Sequence, residues 1–216
     1  MIGESTARRY ALRDPDVRLM LQVREGSAEA FEELVARYQN RLVALLSHHV
    51  GDRDQAEDLA QEVFLRVYRA RDGYVPGAKF ATWLFTIANN LASNALRRRS
   101  RRREVNLDAR GSGPLGAEPL AALARAGSGQ MPTRQLDKAE LRTMVRLAMQ
   151  ALNERQRMAV LLNKFEGMSY ADIAETMEMT PKAVKSLLSR ARVNLREVLD
   201  PYLQSGQSPA VNRDSC

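Results

Sequence analysis

Basic and hydroxyl side chains recur along one stretch near the carboxyl end, at a spacing that suits contact with DNA. Between Met179 and Arg196 there are five lysine or arginine residues and no aspartate or glutamate. At helical period these polar side chains fall on one side and apolar ones on the other. Lysine and arginine bind phosphate, and arginine and serine also bond to base edges. The predicted DNA contacts are Lys182, Lys185, Ser186, Ser189, Arg190 and Arg192.

The residues just before this stretch predict the element that would present it to DNA. Ser169 followed by Asp172 forms a capping box for a short helix, and Thr180-Pro181 begins a second helix. The predicted turn between the two helices covers residues 178–180. This pattern is typical of a helix-turn-helix. The alternative is an amphipathic helix with a solvated basic face, but the caps, turn length and charge together favour DNA binding.

A second basic segment combines aromatic, amide and arginine side chains. Trp83, the only tryptophan, precedes Asn90 and Asn94, and six arginines follow within residues 97–103. Aromatic rings can hold unstacked bases while arginines bind phosphates, and asparagine can read base edges. For Trp83 taken alone, a place in the core is the better interpretation. The predicted contacts with unpaired DNA are Trp83, Asn90, Asn94, Arg97, Arg98 and Arg101.

Residues 52–71 predict a helix with an acidic outer face. Its core stripe has regular helical spacing and consists of Ala56, Leu59, Ala60, Val63, Phe64 and Val67. The outer side carries Asp58, Gln61 and Glu62 beside the apolar Leu65. An acidic face around an exposed leucine suits docking on a basic protein surface. Periodicity alone favours the other interpretation, a face that is only solvated.

The sequence shows no pattern of an active site. His48 and His49 are adjacent, but no cysteine or carboxylate spacing completes a metal site around them. There is no glycine-rich phosphate loop, no Gly-x-Ser-x-Gly and no His-Glu-x-x-His. We therefore predict no catalytic residue, no metal and no cofactor.

The helices that position these residues fall into two groups. Asp14-Pro15, Ser27 and Asp52 are typical helix starts, and no strand-like alternation is found. Residues 104–136 contain five glycines and three prolines, which predicts a flexible linker. The fold class is predicted to be all-α, with two helical domains joined by this linker and the C-terminal one a helix-turn-helix. The predicted domains are 12–103 and 137–203, followed by a disordered tail over 204–216.

Charge and composition indicate the kind of partner. The chain has 216 residues, a net charge of +7 and 44% hydrophobic residues, which suits folded domains that bind a polyanion. Its one cysteine, Cys216, excludes a disulfide framework or a zinc ribbon. We find no membrane-spanning run and no signal peptide, and expect a cytoplasmic protein without membrane insertion.

Taken together, three segments resemble the extracytoplasmic function (ECF) sigma factors of bacterial RNA polymerase. DQAEDLAQEVFLRVYRA resembles the region that docks on the clamp helices of core polymerase. FATWLFTIANNLASN with its arginines resembles the segment that opens the strands and reads the minus-10 element. LNERQRMAVLLNKFEGMSYADIAETMEM and the helix after it resemble the domain that reads the minus-35 element. The resemblance covers about residues 16–103, like sigma region 2, and 137–200, like sigma region 4.

The resemblance implies a non-catalytic specificity subunit that directs transcription initiation. Core RNA polymerase and promoter DNA would be its partners, and an anti-sigma factor is expected as well. It assigns core binding to Asp58, Gln61 and Glu62, minus-10 reading to Asn90 and Asn94, and minus-35 reading to Lys185, Ser186 and Arg190. Many relatives carry arginine where this chain has Leu187, so the promoter sequence does not transfer.

Two other classes of protein stay open on the sequence alone. A stand-alone helix-turn-helix repressor or activator would bind its operator as a dimer, and no dimerisation segment is evident. An enzyme that acts on nucleic acid would need a catalytic constellation, and none is found.

Overall fold

The computed structural model describes residues 9–10, 12–108 and 138–205, and every extended regular element in these ranges is helical. The fold class predicted from the sequence is therefore confirmed. The N-terminal group comprises α1 (Pro15–Arg24), α2 (Ala28–Val50), α3 (Arg53–Arg69), a short 3-10 turn (Arg71–Gly73) and α4 (Phe80–Asp108). The C-terminal group comprises α5 (Lys138–Gln150), α6 (Glu154–Lys164), α7 (Tyr170–Thr176) and α8 (Pro181–Ser205).

Side-chain caps begin the helices where the sequence predicts them. The carboxylate of Asp14 accepts a hydrogen bond from the Asp16 amide at 2.9 Å, and Asp52 caps α3 in the same manner. The Ser27 hydroxyl accepts from an amide in the first turn of α2. Gly51 ends α2 with a φ of 80°, a left-handed conformation that glycine adopts without steric cost. These contacts satisfy amides that have no partner inside their own helix.

Two helices extend beyond their predicted ends. α4 continues past Arg103 to Asp108, so its last turn occupies the start of the predicted linker. The rest of that linker, 109–136, lies outside the described residues. α8 continues to Ser205, and the remainder of the predicted tail, 206–216, is also outside them. No helix in the described part of the chain combines the length and apolar character needed to cross a membrane.

One apolar core runs through both groups of helices. In the N-terminal group, Leu34 and Leu42 of α2 belong to the same buried core as Phe80 and Phe85 of α4. Within residues 181–200 of α8, the buried side chains are Val184, Leu187, Leu188 and Ala191, which fall on one side at helical period. Burial of Leu187 means that this side chain supports the core of the helix-turn-helix.

His49, at the end of α2, is buried without a hydrogen bond to its ring. The residue is 1% exposed, and neither ring nitrogen has a partner in the structure. Burial, together with the charge of Arg157, lowers the pKa of His49 to about 4. The ring is therefore neutral at physiological pH and fills space in the core.

We predict that His49 makes the protein less stable as the pH falls. Its folded pKa lies below the unfolded value of 6.5, so the unfolded chain binds more protons between these two values. The contribution of His49 to the free energy of unfolding is fully present above the unfolded pKa, and about 2 kcal/mol of it is lost by pH 5. Urea unfolding across this range measures the effect. His49→Leu should remove most of the pH dependence of the free energy of unfolding. His48→Leu, at a less buried site, should remove less of it. An equal pH dependence in wild type and His49→Leu would contradict the assignment.

Candidate nucleic-acid and protein interfaces

The acidic face of α3 points away from the core. Asp58 and Gln61 are exposed, and the apolar side chain of Leu65 is 49% exposed. Glu62 is partly exposed and accepts a hydrogen bond from Arg66 one turn later, at 2.8 Å. The opposite side of α3 buries its predicted core stripe, apart from the partly exposed Leu59. The face therefore offers acidic and amide groups around one apolar side chain, as its periodicity predicts.

A groove between α2 and α3 adjoins this face and was not predicted from the sequence. Its volume is about 1030 Å³, and its apolar lining includes Phe31, Val35, Val43 and Tyr68. Leu65 lines it too, so the acidic face and the groove share a border. The groove depends on how two helices cross, and each sequence segment alone shows only an amphipathic helix. The paired surfaces suit docking of a helix or hairpin from a protein partner.

The start of α4 is fixed by a residue far away in the sequence. The Phe80 amide donates a hydrogen bond to Asp14 at 3.0 Å, across a separation of 66 positions. Asp14 uses its other oxygen to cap α1, so one carboxylate serves two helices. This contact positions the helix that carries the predicted contacts with unpaired DNA.

Trp83 lies in the first turn of α4 and is partly buried. Its ring packs at 4.8 Å from the Tyr74 ring and 6.0 Å from the Phe80 ring, measured between centroids. These contacts favour the interpretation of Trp83 as part of the core in this arrangement of the chain.

Asn90 and Asn94 lie one turn apart on α4 and are both exposed. The exposed arginines beyond them include Arg97, Arg98 and Arg101. Arg99 instead donates a hydrogen bond to the Val50 carbonyl at 3.3 Å, which joins α4 to the end of α2. The outer half of α4 therefore presents amide groups followed by a dense positive charge.

α7 and α8 form the predicted helix-turn-helix. The Ser169 side chain accepts from the Asp172 amide and the Asp172 side chain accepts from the Ser169 amide, both at 3.2 Å. The turn is one residue longer than predicted, because α7 ends at Thr176. Within it Glu178 has a φ of 53°, a left-handed conformation that is costly for a residue with a Cβ.

The basic side of α8 is open to solvent. All six of the predicted DNA contacts are exposed: Lys182, Lys185, Ser186, Ser189, Arg190 and Arg192. Arg190 donates to the Ser186 hydroxyl at 3.3 Å, and Arg192 donates to the Tyr170 hydroxyl at the same distance. In the described ranges, no group of three or more histidine, cysteine, aspartate or glutamate side chains could hold a metal ion.

Comparison with known proteins assigns both groups of helices to one family. Residues 34–102 match Sigma-70 region 2, and residues 142–195 match Sigma-70, region 4. The RNA polymerase sigma-H factor of Pseudomonas aeruginosa is 33% identical, over 88% of this chain and 97% of its own length. The ECF RNA polymerase sigma-E factor of Escherichia coli K12 is also 33% identical, over 86% of this chain and 95% of its own. The chain belongs to the ECF sigma factors.

Solved sigma factors have the same fold. RpoE of Bartonella quintana, solved with the anti-sigma factor NepR, is 26% identical with a TM-score of 0.61, over 80% of this chain and 98% of that one. CnrH, solved with the cytosolic domain of CnrY, is 24% identical with the same TM-score, over 87% and 99% of the two chains, and shows the fold alone. Membership of this family favours a sigma factor over the stand-alone repressor or activator that the sequence alone left open.

We predict that Asp14→Ala destabilises this sigma factor more than removal of an ordinary cap. The substitution removes two caps, so we expect the free energy of unfolding to fall by about 2 kcal/mol, compared with about 1 kcal/mol for Asp52→Ala. Asp14→Asn keeps only one oxygen and should fall between wild type and Asp14→Ala. Chemical denaturation of the three variants measures this order. Equal losses for Asp14→Ala and Asp52→Ala would mean that the contact with Phe80 contributes nothing.

Proposed function

We propose that this sigma factor is a dissociable, non-catalytic specificity subunit that acts in the cytoplasm on core RNA polymerase. It would bind core polymerase through α3 and promoter DNA through α4 and α8. The observation that carries the proposal is the order of three surfaces along one chain: an acidic face, an amide and arginine face, and a basic recognition helix. Each surface lies within a segment that matches the sigma-70 family.

The proposed core-binding surface consists of Asp58, Gln61, Glu62 and Leu65. An apolar side chain ringed by charged and amide groups resembles the centre and rim of a protein interface. Acidic groups on a protein with a net charge of +7 also orient it toward a basic partner surface.

The proposed minus-35 surface is the exposed side of α8. An α-helix fits the major groove of duplex DNA, where arginine can bond to guanine and lysine to phosphate. Lys185, Ser186 and Arg190 are the proposed contacts near the start of the helix, flanked by Lys182, Ser189 and Arg192. The buried Leu187 and Leu188 support these side chains from behind.

The proposed minus-10 surface is the outer half of α4. Asn90 and Asn94 share a face of the helix, so both amides can address neighbouring unpaired bases. The arginines at 97, 98 and 101 would bind the phosphates of the same strand, in a salt-dependent manner. Trp83 supports this surface from the core side.

An anti-sigma factor is proposed as a further partner. RpoE of Bartonella quintana, a structural relative, was solved bound to an anti-sigma factor. The apolar groove between α2 and α3 borders the proposed core-binding face, so a protein bound there would compete with core polymerase.

Reversing the charge of the α3 face should weaken polymerase binding without unfolding the protein. We expect Asp58→Lys with Glu62→Lys to reduce both affinity for core polymerase and run-off transcription, because the partner surface is complementary to the acids. Thermal stability should change by less than about 1 kcal/mol, since exposed charges contribute little. The matched control is Glu25→Lys with Glu32→Lys, which changes the net charge equally elsewhere on the surface. Equal transcription by the two double variants would contradict the proposed core-binding face.

Removal of the two α4 amides should impair strand opening more than polymerase binding. We expect Asn90→Ala with Asn94→Ala to bind core polymerase normally but to form fewer open complexes on duplex promoters. A pre-melted promoter should recover only part of the loss, because base reading is damaged as well as melting. Permanganate reactivity of unpaired thymines measures opening, and Gln22→Ala, an exposed amide on α1, is the control. Unchanged reactivity in the double variant would exclude both asparagines from the mechanism.

A further inference from the structure

A polar cleft lies beside α4, at the first turn of α6. Its volume is about 510 Å³. On the α4 side it is lined by three asparagines, by Ser93 and by Arg97. On the opposite side it is lined by Glu154 and Arg155 of α6 and by the turn before α8. Ligand sites commonly have volumes of about 300–1,000 Å³, so the cleft has room for one small organic molecule.

The end of α2 closes the cleft from within and is held by two hydrogen bonds. Arg157 of α6 donates to the His49 carbonyl at 2.9 Å, and Arg99 of α4 donates to the Val50 carbonyl at 3.3 Å. Both carbonyls belong to the last turn of α2. The ring of His49, which lines the cleft, is therefore fixed between α4 and α6.

His49 is the most buried of the residues that line the cleft, and its ring has no partner. The residue is 1% exposed, and within the described part of the chain neither Nδ1 nor Nε2 forms a hydrogen bond. A neutral imidazole has one N–H donor and one acceptor nitrogen, so both capacities are unused. Unpaired polar groups at a buried position are costly, and a molecule that reaches this end of the cleft would relieve that cost.

Other polar side chains of the cleft are without partners too. Among the residues that the structure describes, the amides of Asn89, Asn90 and Asn94 form no hydrogen bond. Over the same ranges, Arg97 and Arg155 form no ion pair, although Glu154 and Glu178 line the same cleft. The charged groups therefore stand apart from one another, and their bonding capacity is directed at the space between them.

The balance of charge in the cleft indicates a ligand with an anionic group and several N–H or O–H donors. The guanidinium groups of Arg97 and Arg155 suit phosphate oxygens. The first amides of α6 have no partner inside their own helix, and a helix N-terminus attracts an anion as well. The carboxylates of Glu154 and Glu178 accept from amino and hydroxyl groups, which an inorganic anion does not supply.

The three asparagines indicate that the ligand also carries a base. An asparagine amide can donate to N7 of adenine and accept from its N6 amino group at the same time. Ribose hydroxyls would bond to Ser93 and to the glutamates. A sugar phosphate without a base would leave most of these amides unused.

We propose that this cleft is a binding site for a free purine nucleoside monophosphate. The base would lie against the asparagines and the phosphate between Arg97 and Arg155, with the His49 ring as a further hydrogen-bond partner. Asn90, Asn94 and both arginines are exposed, so the ligand can enter the cleft as it stands.

The site shares Asn90 and Asn94 with the proposed minus-10 surface. A bound nucleotide and an unpaired DNA base would therefore exclude each other, and promoter opening would respond to the free nucleotide. This consequence, unlike the binding itself, rests on the function proposed for α4.

The two histidines of the chain report on two different cavities. His49 lines the cleft, whereas His48 lines the groove between α2 and α3. In full-length protein labelled with 15N-histidine, titration with adenosine 5′-monophosphate should shift the His49 ring signals in a saturable manner, and those of His48 much less. The variant His48→Leu assigns the two sets of signals. A larger shift of His48, or no saturable shift of His49, would overturn the site.

Calorimetry of the same titration tests the phosphate end. Arg155→Gln should weaken binding of adenosine monophosphate about tenfold, because a charge-assisted contact is lost. The matched control Arg13→Gln removes the same charge at an exposed position outside the cleft and should bind like wild type. Adenosine and inorganic phosphate should each bind more weakly than the nucleotide, since each fills part of the site. Equal affinities of the two variants, or of phosphate and nucleotide, would contradict the proposal.

Anisotropy of a fluorescein-labelled single-stranded DNA tests the competition. Adenosine monophosphate should release the DNA from wild type, and adenosine should release less of it. Retention of the DNA at a saturating nucleotide concentration would overturn the competition. If Asn90→Ala with Asn94→Ala binds the DNA as tightly as wild type, the function proposed for α4 fails instead, while the His49 shift still decides the nucleotide site.

Discussion

Helix α4 is the constraint on which both groups of helices depend. Its first turns bury Phe80, Leu84 and Phe85 in the apolar core, and later turns of the same helix expose Asn90 and Asn94. A close-packed core tolerates little displacement of such rings. Because a helix transmits that position along its axis, core packing also determines where the amides and the arginines point. The same helix therefore sets both the core packing and the orientation of the proposed DNA face.

Much of the fold follows from residues that are close in sequence. Asp52 and Ser169 cap helices through amides three residues ahead, so the sequence alone identifies those starts. The apolar stripes of α3 and α8 likewise depend only on helical period. The exposed faces opposite the stripes, with Leu65 and Arg190, were predictable for the same reason. The resemblance to a family then supplied roles that periodicity does not contain, such as core binding by the α3 face.

Contacts between residues that are far apart in the sequence could not be predicted from local patterns. Nothing in the sequence around Asp14 indicates that its second oxygen meets the Phe80 amide. Nothing around Arg41 indicates that this residue forms an ion pair with Glu166, which lies 125 positions later. The groove between α2 and α3 also arises only where the two helices cross. The end of α4 was placed too early, because the glycines and prolines that indicated a linker begin only at Gly111, and residues 104–108 before them continue the helix. The local sequence determines where the helices form, while the packing of the helices determines which surfaces are exposed.

The pairing of Arg41 with Glu166 has a thermodynamic consequence. The Glu166 side chain is only 4% exposed, so any ligand that binds only when this pair is broken must supply the free energy of breaking it. Once one such ligand has supplied that free energy, a second ligand that also needs the pair broken binds without the cost. The two ligands need not touch to bind cooperatively, and each strengthens the binding of the other by the same factor.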